Sequence, residues 1–208
     1  MIINLKNNKL KIIFTHIQKS GGSSIIDFFN VKKSHNKIEK DILILSEKKI
    51  KLNSVFKFTV IRNPWDRMVS FFHYHKQRLK IQSWKYIKDL NFTQFIKSKH
   101  FEFWAKKNNI TNYIKHNDIS RIDYYIDFNN LKKDFELIKL ITNIKKNLTH
   151  VNKSKHEEYK KYYRNENNKH IISSLFKDEI DFFNFKFGKP TDLKTLNTKN
   201  LTNKFLKK

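Results

Sequence analysis

The sequence contains no cysteine, only two prolines and only three glycines. Without cysteine the chain cannot form disulfides or thiolate metal sites, and a reducing compartment is compatible with this composition. No apolar run approaches the roughly 20 residues of a membrane-spanning helix, and the first residues do not follow the layout of a secretory signal peptide. We therefore expect a soluble cytoplasmic protein without a transmembrane segment.

Acidic residues are also scarce. The 19 Asp and Glu residues stand against 44 Lys and Arg, which gives a formal net charge of +25. Such a charge favours an anionic partner, whether a nucleotide, an acidic or sulfated glycan, nucleic acid or a lipid surface. The lysines are scattered rather than clustered, however, and an AT-rich coding sequence, which also favours Asn and Ile, accounts for the same composition. The sequence leaves both interpretations open.

The residues that are present support a folded α/β domain. Hydrophobic residues make up 38% of the 208 positions, and 19 residues are phenylalanine, which is enough to build a core. The β-rich runs at 10–17 and 55–61 are each followed by a helical pattern, and residues 122–128 are a third strand candidate. Strands that alternate with helices predict a parallel sheet, and helical patterns dominate the C-terminal half.

The end of the packed region is marked by Gly188 and Pro190, which interrupt the helical pattern. Residues 1–190 are therefore expected to form one domain. Residues 191–208 are polar and rich in lysine, and we expect them to form a loose tail.

Two of the three glycines, Gly21 and Gly22, lie side by side in the segment FTHIQKSGGSSII. Between a strand and a helix, glycines let backbone N–H groups approach an anion, and the helix N-terminus adds positive potential. Lys19 adds a formal charge, and the hydroxyl donors are Ser20, Ser23 and Ser24. The segment predicts a site for a phosphate-like group, and the alternative is a plain Gly-Gly turn.

A second segment, FTVIRNPWDRMVSFF, places Arg62 at a strand end and Ser70 about two turns into the next helix. Arginine there favours a forked contact with a phosphate, to which the serine adds a hydroxyl. In the alternative interpretation Arg62 pairs with Asp66 and the neighbouring apolar residues only pack.

Both segments also carry signals for the start of a helix. Ser24 precedes Asp27 by three residues, which is the spacing of a capping box. In the second segment Asn63 is placed to cap a helix that begins at Pro64, with Asp66 in its first turn.

Together the two segments resemble the sulfotransferases that depend on 3′-phosphoadenosine 5′-phosphosulfate (PAPS), in particular sulfotransferase family 2, which includes many carbohydrate sulfotransferases. HIQKSGGSS is similar to the 5′-phosphosulfate loop of that family, commonly HIPKTGGTS, and VIRNPWDRMVSFF is similar to its 3′-phosphate segment. The likeness continues through IDYYIDFNNLKKDFELI and the segment from HVNKSKHEEY to FFNFKF. It implies a parallel sheet of the P-loop NTPase type, flanked by helices.

The chain departs from the family pattern at a few positions. Gln18 replaces the usual proline of the loop, and Ser20 and Ser23 replace threonines, which keeps the hydroxyl groups. Asn129 stands where the family commonly has glutamate, so no role is transferred to that residue.

The resemblance implies transfer of a sulfuryl group from PAPS to a hydroxyl or amine of an acceptor, expected to be a carbohydrate. Lys19 would contact the leaving phosphate and the transferring sulfate, while the loop from Ser20 to Ser24 cradles the phosphosulfate. Arg62 and Ser70 would hold the 3′-phosphate. The scheme requires no metal, and the sequence offers no compact set of His, Asp and Glu ligands.

A histidine is the natural base for the acceptor's proton, and His35 is the candidate, because related carbohydrate sulfotransferases carry a histidine on a loop facing the acceptor. His16 lies in the buried-strand pattern and is expected to be structural. His73 and His75 follow the second segment, and packing or surface positions are expected for both. By resemblance, Lys153 and Ser154 would cap the nucleotide.

Three rival functions share some of these sequence features. A P-loop-like kinase or nucleotide hydrolase requires a lysine after the glycines, whereas Lys19 precedes them. A basic nucleic-acid-binding protein fits the charge and the aromatic content, but no recognised motif is present, so no specific nucleic acid is expected as a partner. A sulfotransferase-like protein that binds the nucleotide without turnover is the third.

Overall fold

The computed structural model describes residues 1–5, 11–78, 82–149 and 156–200. Its strands are β1 (Ile2–Asn4), β2 (Lys11–Thr15), β3 (Phe56–Ile61), β4 (Lys115–His116), β5 (Ile119–Ser120) and β6 (Tyr124–Asp127). Its α-helices are α1 (Gly22–Phe29), α2 (Ile38–Glu47), α3 (Pro64–Gln77), α4 (Phe92–Ile96), α5 (Lys99–Lys107), α6 (Thr111–Ile114), α7 (Leu131–Thr142), α8 (Glu166–Leu175), α9 (Lys177–Phe183) and α10 (Lys194–Asn200). Short 3₁₀ helices occupy Leu52–Ser54, Gln82–Asp89, Phe128–Asn130 and Tyr159–Tyr163.

Contacts within the chain divide it into two compact units. The first unit is formed by Met1–Ile61, Ile110–Asn152 and Asp192–Lys208, and the second by Arg62–Asn109 and Lys153–Thr191. The sheet belongs to the first unit. In the part of the second unit that the structure describes, all regular elements are helical.

The sheet of the first unit has the strand order β1-β2-β3-β6. β2 pairs with β3 and β3 with β6 in parallel, while β1 is antiparallel to β2. Every residue of β3 is buried, as is every residue of β2 after Lys11. Strands buried on both faces are typical of a parallel sheet covered by helices, so the α/β fold predicted from the sequence is confirmed.

Phenylalanines fill the core on one face of this sheet. Phe14 of β2 stacks on Phe58 of β3 with ring centroids 5.1 Å apart. Phe28 of α1 meets Phe135 of α7 edge to face at 4.9 Å. Because α1 follows β2 directly, this packing fixes the turn that joins the strand to the helix.

The helical second unit is built around α3. Arg67 of α3 forms an ion pair with Glu179 of α9, and the two side chains are 1% and 0% exposed. Phe71 stacks on Phe95 of α4 with centroids 6.1 Å apart, and the Tyr163 hydroxyl donates to the Trp65 carbonyl at 2.9 Å. Among the described residues, no helix is both long and apolar enough to cross a bilayer.

The two predicted helix starts had different outcomes. The Asn63 side chain accepts a hydrogen bond from the Trp65 N–H at 3.0 Å, and α3 begins at Pro64, which confirms the predicted cap. The capping box at Ser24 was wrong. Helix α1 begins at Gly22, after a left-handed Gly21 that carries no side-chain cap, so Ser24 lies inside the first turn. The left-handed glycine turns the chain into the helix before the serine is reached.

Residues 191–200 differ from the loose tail that the sequence predicts for 191–208, whose last eight residues lie outside the described ranges. Residues Lys194–Asn200 form α10, and Leu193 is buried. The Asn197 amide pairs with the backbone of Tyr125 on the edge strand β6, accepting at 2.8 Å and donating at 2.9 Å. A side-chain amide that caps an open strand edge in this way satisfies backbone groups that would otherwise face water.

Candidate anion-binding site

The loop between β2 and α1 contains two residues with left-handed backbone conformation. Lys19 has a φ of 62° and Gly21 a φ of 82°. The left-handed region costs an ordinary L-residue about 1–2 kcal/mol, and glycine adopts it freely. The glycine is therefore explained by the turn, whereas the lysine at position 19 is held in a conformation that its own backbone disfavours.

Gly22 is required for a different reason. A Cβ atom on Gly22 would lie 2.0 Å from Cδ2 and 2.3 Å from Nε2 of the His16 ring, far inside van der Waals contact. A Cβ on Gly21 would lie 3.0 Å from the Phe128 ring. The side chains of His16 and Phe128 thus pack directly against the backbone of the two glycines. The start of α1 can lie this close to both rings only because neither position carries a side chain.

Ser20 has a buried hydroxyl with no hydrogen-bond partner among the described residues. Ser20 is 1% exposed, and its Oγ atom makes no hydrogen bond to any described residue. The Thr15 hydroxyl, at the end of β2, is in the same situation. An unsatisfied buried hydroxyl costs about 1–3 kcal/mol, so a polar group bound beside these two atoms would stabilise the folded chain.

His16 and His35 lie face to face beside the loop. Their ring centroids are 4.2 Å apart with 29° between the ring planes, and His35 Nδ1 lies 3.3 Å from the His16 carbonyl oxygen. Burial, followed by the charges of His35 and Lys33, lowers the pKa of His16 to about 3. Burial and the Lys33 charge also lower the pKa of His35. Both rings are therefore neutral at pH 7.

Arg62, the first residue of the second unit, forms the ion pair that the sequence offered as an alternative to an anion contact. Its Nε and Nη2 atoms donate to the two carboxylate oxygens of Asp66 at 2.7 and 2.9 Å. Arg62 is 7% exposed, and Ser70 is buried on the same helix, α3. The guanidinium group is thus held in one orientation by a residue one helical turn further on.

The strand register shows at which edge of the sheet the loop with Lys19 lies. Thr15 pairs with Thr59 in the parallel ladder of β2 and β3, and the Thr59 hydroxyl donates to the Thr15 carbonyl at 2.7 Å. The two strands therefore end at the same edge of the sheet, where the loop with Lys19 leaves β2. Arg62 is the residue that directly follows Ile61, the last of β3. The carboxyl edge of a parallel sheet is where ligands of α/β proteins bind.

The other predicted positions fall as follows. Ser23 is half-buried in the first turn of α1. His75 is buried against Phe71, with centroids 4.2 Å apart. His73 packs against Phe72 at 5.1 Å, and burial lowers its pKa to about 4. Packing therefore accounts for both histidines.

Three remaining points concern the proposed nucleotide cap at Lys153 and Ser154, the departure from the family pattern at Asn129, and metal binding. Lys153 and Ser154 lie outside the described residues. The backbone N–H of Asn129 donates to the Asp127 carboxylate at 3.1 Å, which is a local turn contact. Within the described ranges, no group of three or more His, Asp or Glu side chains is arranged to hold a metal ion.

No sequence pattern predicts the pairing between His16 and His35, which are 19 residues apart. Neither residue stands in a spacing that indicates contact, because the segment between them leaves the sheet, forms α1 and returns. Only the fold brings the two rings together.

A model of the sulfotransferase family matches residues 5–186. Among solved structures, that of mouse sulfotransferase SULT7A1 complexed with PAP is similar, with 16% sequence identity, coverage of 81% of this chain and 83% of that chain, and a TM-score of 0.43. A search of curated proteins gave no match. Since the family match extends over most of the sequence, the chain belongs to the sulfotransferase family, enzymes whose sulfate donor is PAPS.

Proposed function

We propose that this sulfotransferase moves the sulfuryl group of PAPS to a carbohydrate hydroxyl or amine, with Lys19 and His35 at the reacting atoms. The observation that carries the proposal is the loop after β2. It combines a lysine in left-handed conformation, a glycine without space for a Cβ, and a buried serine hydroxyl that lacks a partner among the described residues.

In the proposed reaction the acceptor oxygen (or nitrogen) forms a bond to sulfur. The bond between sulfur and the bridging oxygen of the phosphosulfate breaks, and adenosine 3′,5′-bisphosphate leaves with the bonding electron pair. The acceptor proton passes to His35. As in phosphoryl transfer, the protein acts by positioning the reactants and by stabilising the charge that develops on the leaving oxygen.

The loop residues fit a phosphosulfate group. Backbone N–H groups from Gly21 to Ser24 open helix α1, whose N-terminus favours an anion. The His16 ring packs against Gly22, and an anionic oxygen would satisfy the Ser20 hydroxyl. Lys19 would supply the formal charge, which matters most when negative charge moves onto the leaving phosphate.

Arg62 and Ser70 are proposed to bind the 3′-phosphate. Asp66 already holds the guanidinium group in place with two short hydrogen bonds. The Arg62 side chain would therefore lose little conformational entropy when a phosphate binds. The buried hydroxyl of Ser70 lies two turns along the same helix. A 3′-phosphate is the feature that separates PAPS from ADP-like nucleotides.

His35 has the protonation state that a general base needs. A carbonyl oxygen only accepts hydrogen bonds, so the contact between His35 Nδ1 and the His16 carbonyl assigns the proton to Nδ1. Nε2 then carries the lone pair. Because the pKa of His35 is lowered by burial, this neutral form is the main one at pH 7.

The carbohydrate acceptor is proposed from the likeness of the two anion-binding segments to a family that contains many carbohydrate sulfotransferases. Acceptor pockets are built by loops that vary independently of the fold. The acceptor is therefore to be found by supplying ³⁵S-labelled PAPS with panels of glycans and small alcohols, and a panel in which only non-carbohydrate acceptors are labelled would contradict this part of the proposal. A cytoplasmic location also stays a prediction.

Titration calorimetry tests the donor site. Adenosine 3′,5′-bisphosphate should bind about ten to a hundred times more tightly than ADP, since one set of charge-assisted hydrogen bonds contributes about 1.5–3 kcal/mol. Arg62→Gln should abolish this preference, and the exposed Arg164→Gln should keep it. Equal affinity of the wild type for both nucleotides, or preferential binding of a DNA oligonucleotide, would contradict the proposal.

A further inference from the structure

The two histidines of the first unit make two contacts with each other. The His35 ring bonds to the backbone carbonyl of His16 at 3.3 Å. The two rings are stacked at 4.2 Å. The edge of the His16 ring also occupies the space that a side chain on Gly22 would need. His16 is thus in contact with both His35 and the anion-binding loop.

We propose that His16 is a positioning residue for His35: its carbonyl fixes the His35 proton on Nδ1, and its ring fixes the plane of the His35 ring relative to Gly22. This inference rests on the proposed function, in which His35 accepts the acceptor's proton. His16 itself touches no reacting atom in this scheme.

The carbonyl contact selects one of two tautomers. A free neutral imidazole exchanges between forms protonated on either nitrogen, and only the form protonated on Nδ1 has its lone pair on Nε2. The carbonyl of His16 belongs to the backbone at the end of β2, so its place is set by the sheet. A base whose tautomer is fixed by the sheet does not need to rotate or exchange its proton before it acts.

The stacked ring adds orientation and a constraint on charge. Two imidazoles at 4.2 Å disfavour simultaneous protonation, so the neutral state of one favours charging of the other. His16 stays neutral because it is the more deeply buried ring, and its pKa is about 3. The other charges that act on this pair are cationic, namely Lys33 on both rings and the N-terminal ammonium on His16. A proton arriving at the pair is therefore taken by His35.

Contact with Gly22 connects the base to the anion loop. The His16 ring lies against the first residue of α1, where the backbone N–H groups begin. Its position is therefore set on one side by the loop and on the other by His35. A misplacement of about 1 Å at such a point costs about a hundredfold in rate in well-ordered active sites.

The tautomer can be measured without an acceptor. In ¹H–¹⁵N spectra of the wild type labelled at histidine, recorded above pH 7, His35 should show a protonated Nδ1 and an unprotonated Nε2. A wild-type spectrum with the proton on Nε2, or with rapid exchange between both forms, would overturn the inference. This readout does not depend on a variant that folds.

Variants at His16 test the ring. His16→Ala removes the ring and keeps the backbone carbonyl, so it should lower kcat about tenfold or more while the Kd of adenosine 3′,5′-bisphosphate changes by less than about threefold and His35 keeps its proton on Nδ1. His16→Phe keeps a planar ring to stack on and should recover most of kcat. The exposed His170→Ala is the control and should change neither kcat nor Kd. Full activity in His16→Ala, or His16→Phe as impaired as His16→Ala, would overturn the role of the ring.

His35→Ala separates the two hypotheses. If that variant retains wild-type turnover, the proposed role of His35 as base is wrong, whatever the His35 tautomer in the wild type. If His35→Ala is inactive while His16→Ala keeps wild-type turnover, His35 is the base and the positioning role of the His16 ring is wrong.

Discussion

Lys19 has the formal charge that an anion site needs and a backbone conformation that lysine disfavours, with a φ of 62°. Left-handed non-glycine residues occur where the surrounding structure imposes them, and such positions cluster at ligand sites. Here the turn into α1 imposes the conformation, and in the proposed function the position also needs a charge, which glycine does not supply. The left-handed backbone of Lys19 and its charged side chain are therefore under different constraints, and substitutions can test each of them.

Comparing Lys19→Gly with Lys19→Ala tests this. Glycine relieves the left-handed strain, so Lys19→Gly should be more stable than Lys19→Ala by about 1 kcal/mol in urea unfolding. Both variants lack the charge and should lose about a hundredfold or more in kcat, with a smaller loss in affinity for adenosine 3′,5′-bisphosphate. Unchanged kcat in both variants would remove Lys19 from the reaction.

Gly22→Ala tests the close contact with His16. The added Cβ would lie 2.0 Å from the His16 ring, so the free energy of unfolding should fall by about 1–3 kcal/mol, the usual cost of overpacking. The double variant with His16→Ala lacks the ring that the added Cβ would meet. Its loss of unfolding free energy should therefore be smaller than the sum of the losses in the two single variants. Strictly additive losses in this double-mutant cycle would contradict the contact.

At the scale of elements, β3 passes into α3 through only two residues, Arg62 and Asn63. Asn63 accepts from the Trp65 N–H at 3.0 Å and donates to the Lys186 carbonyl at 3.3 Å, so its side chain fixes the start of the helix. Arg62 is then held between the last residue of the strand and Asp66 in the first helical turn. The Asn63 cap therefore orients Arg62, which is proposed to bind the 3′-phosphate, as well as the start of the helix.

Asn63→Ala should therefore affect both stability and nucleotide binding. Loss of an N-cap costs about 0.5–2 kcal/mol in unfolding free energy, and the preference for adenosine 3′,5′-bisphosphate over ADP should decrease. The matched control is Asn165→Ala, because Asn165 caps α8 by accepting from the Asn167 N–H at 3.0 Å. It should lose similar stability and keep the preference. If Asn63→Ala and Asn165→Ala show the same preference between the two nucleotides, the Asn63 cap stabilises the helix without affecting nucleotide binding.

The elements that sequence predicted are those with local causes. The runs of apolar β-rich residues predicted β2, β3 and β6, and the Asn63-Pro64 pair predicted the start of α3. The start of α1 was misplaced, because the left-handed Gly21 and not a serine ends the loop. Helix α10 was missed because its packing depends on Asn197 pairing with Tyr125, 72 residues away. Within the site, residue types were predictable and the contact between His16 and His35 was not.

At the scale of the whole molecule, most acidic residues are exposed, and a few form ion pairs that are largely shielded from solvent. Glu179 pairs with Arg67 at 2.7 Å, Asp66 with Arg62 at 2.7 Å, and Asp123 with Lys57 at 2.6 Å. With 19 acidic residues against 44 basic ones, the excess of cations is carried mainly by exposed lysines. Self-repulsion among these charges disfavours the compact state, and it increases when carboxylates are protonated.

His16 adds a second source of acid sensitivity, and its sign can be worked out. Its folded-state pKa of about 3 lies below the ordinary value of 6.5, so as pH falls through 6.5 the unfolded chain takes up a proton that the folded chain does not. The stability contributed by the neutral ring is complete above pH 6.5 and declines towards pH 3. Between pH 7.5 and pH 5 this one group should remove about 2 kcal/mol of unfolding free energy.

His16→Phe should remove this part of the pH dependence, because phenylalanine fills the same space and does not titrate. Urea unfolding at pH 7.5 and pH 5 should show the wild type losing about 2 kcal/mol more than the variant over that interval. Carboxylates and the other histidines titrate in both proteins and cancel in the difference, and the exposed His170→Phe should follow the wild type. Parallel stability curves for wild type and His16→Phe would mean that His16 is protonated in the folded state, and the argument that it stays neutral beside His35 would then fail.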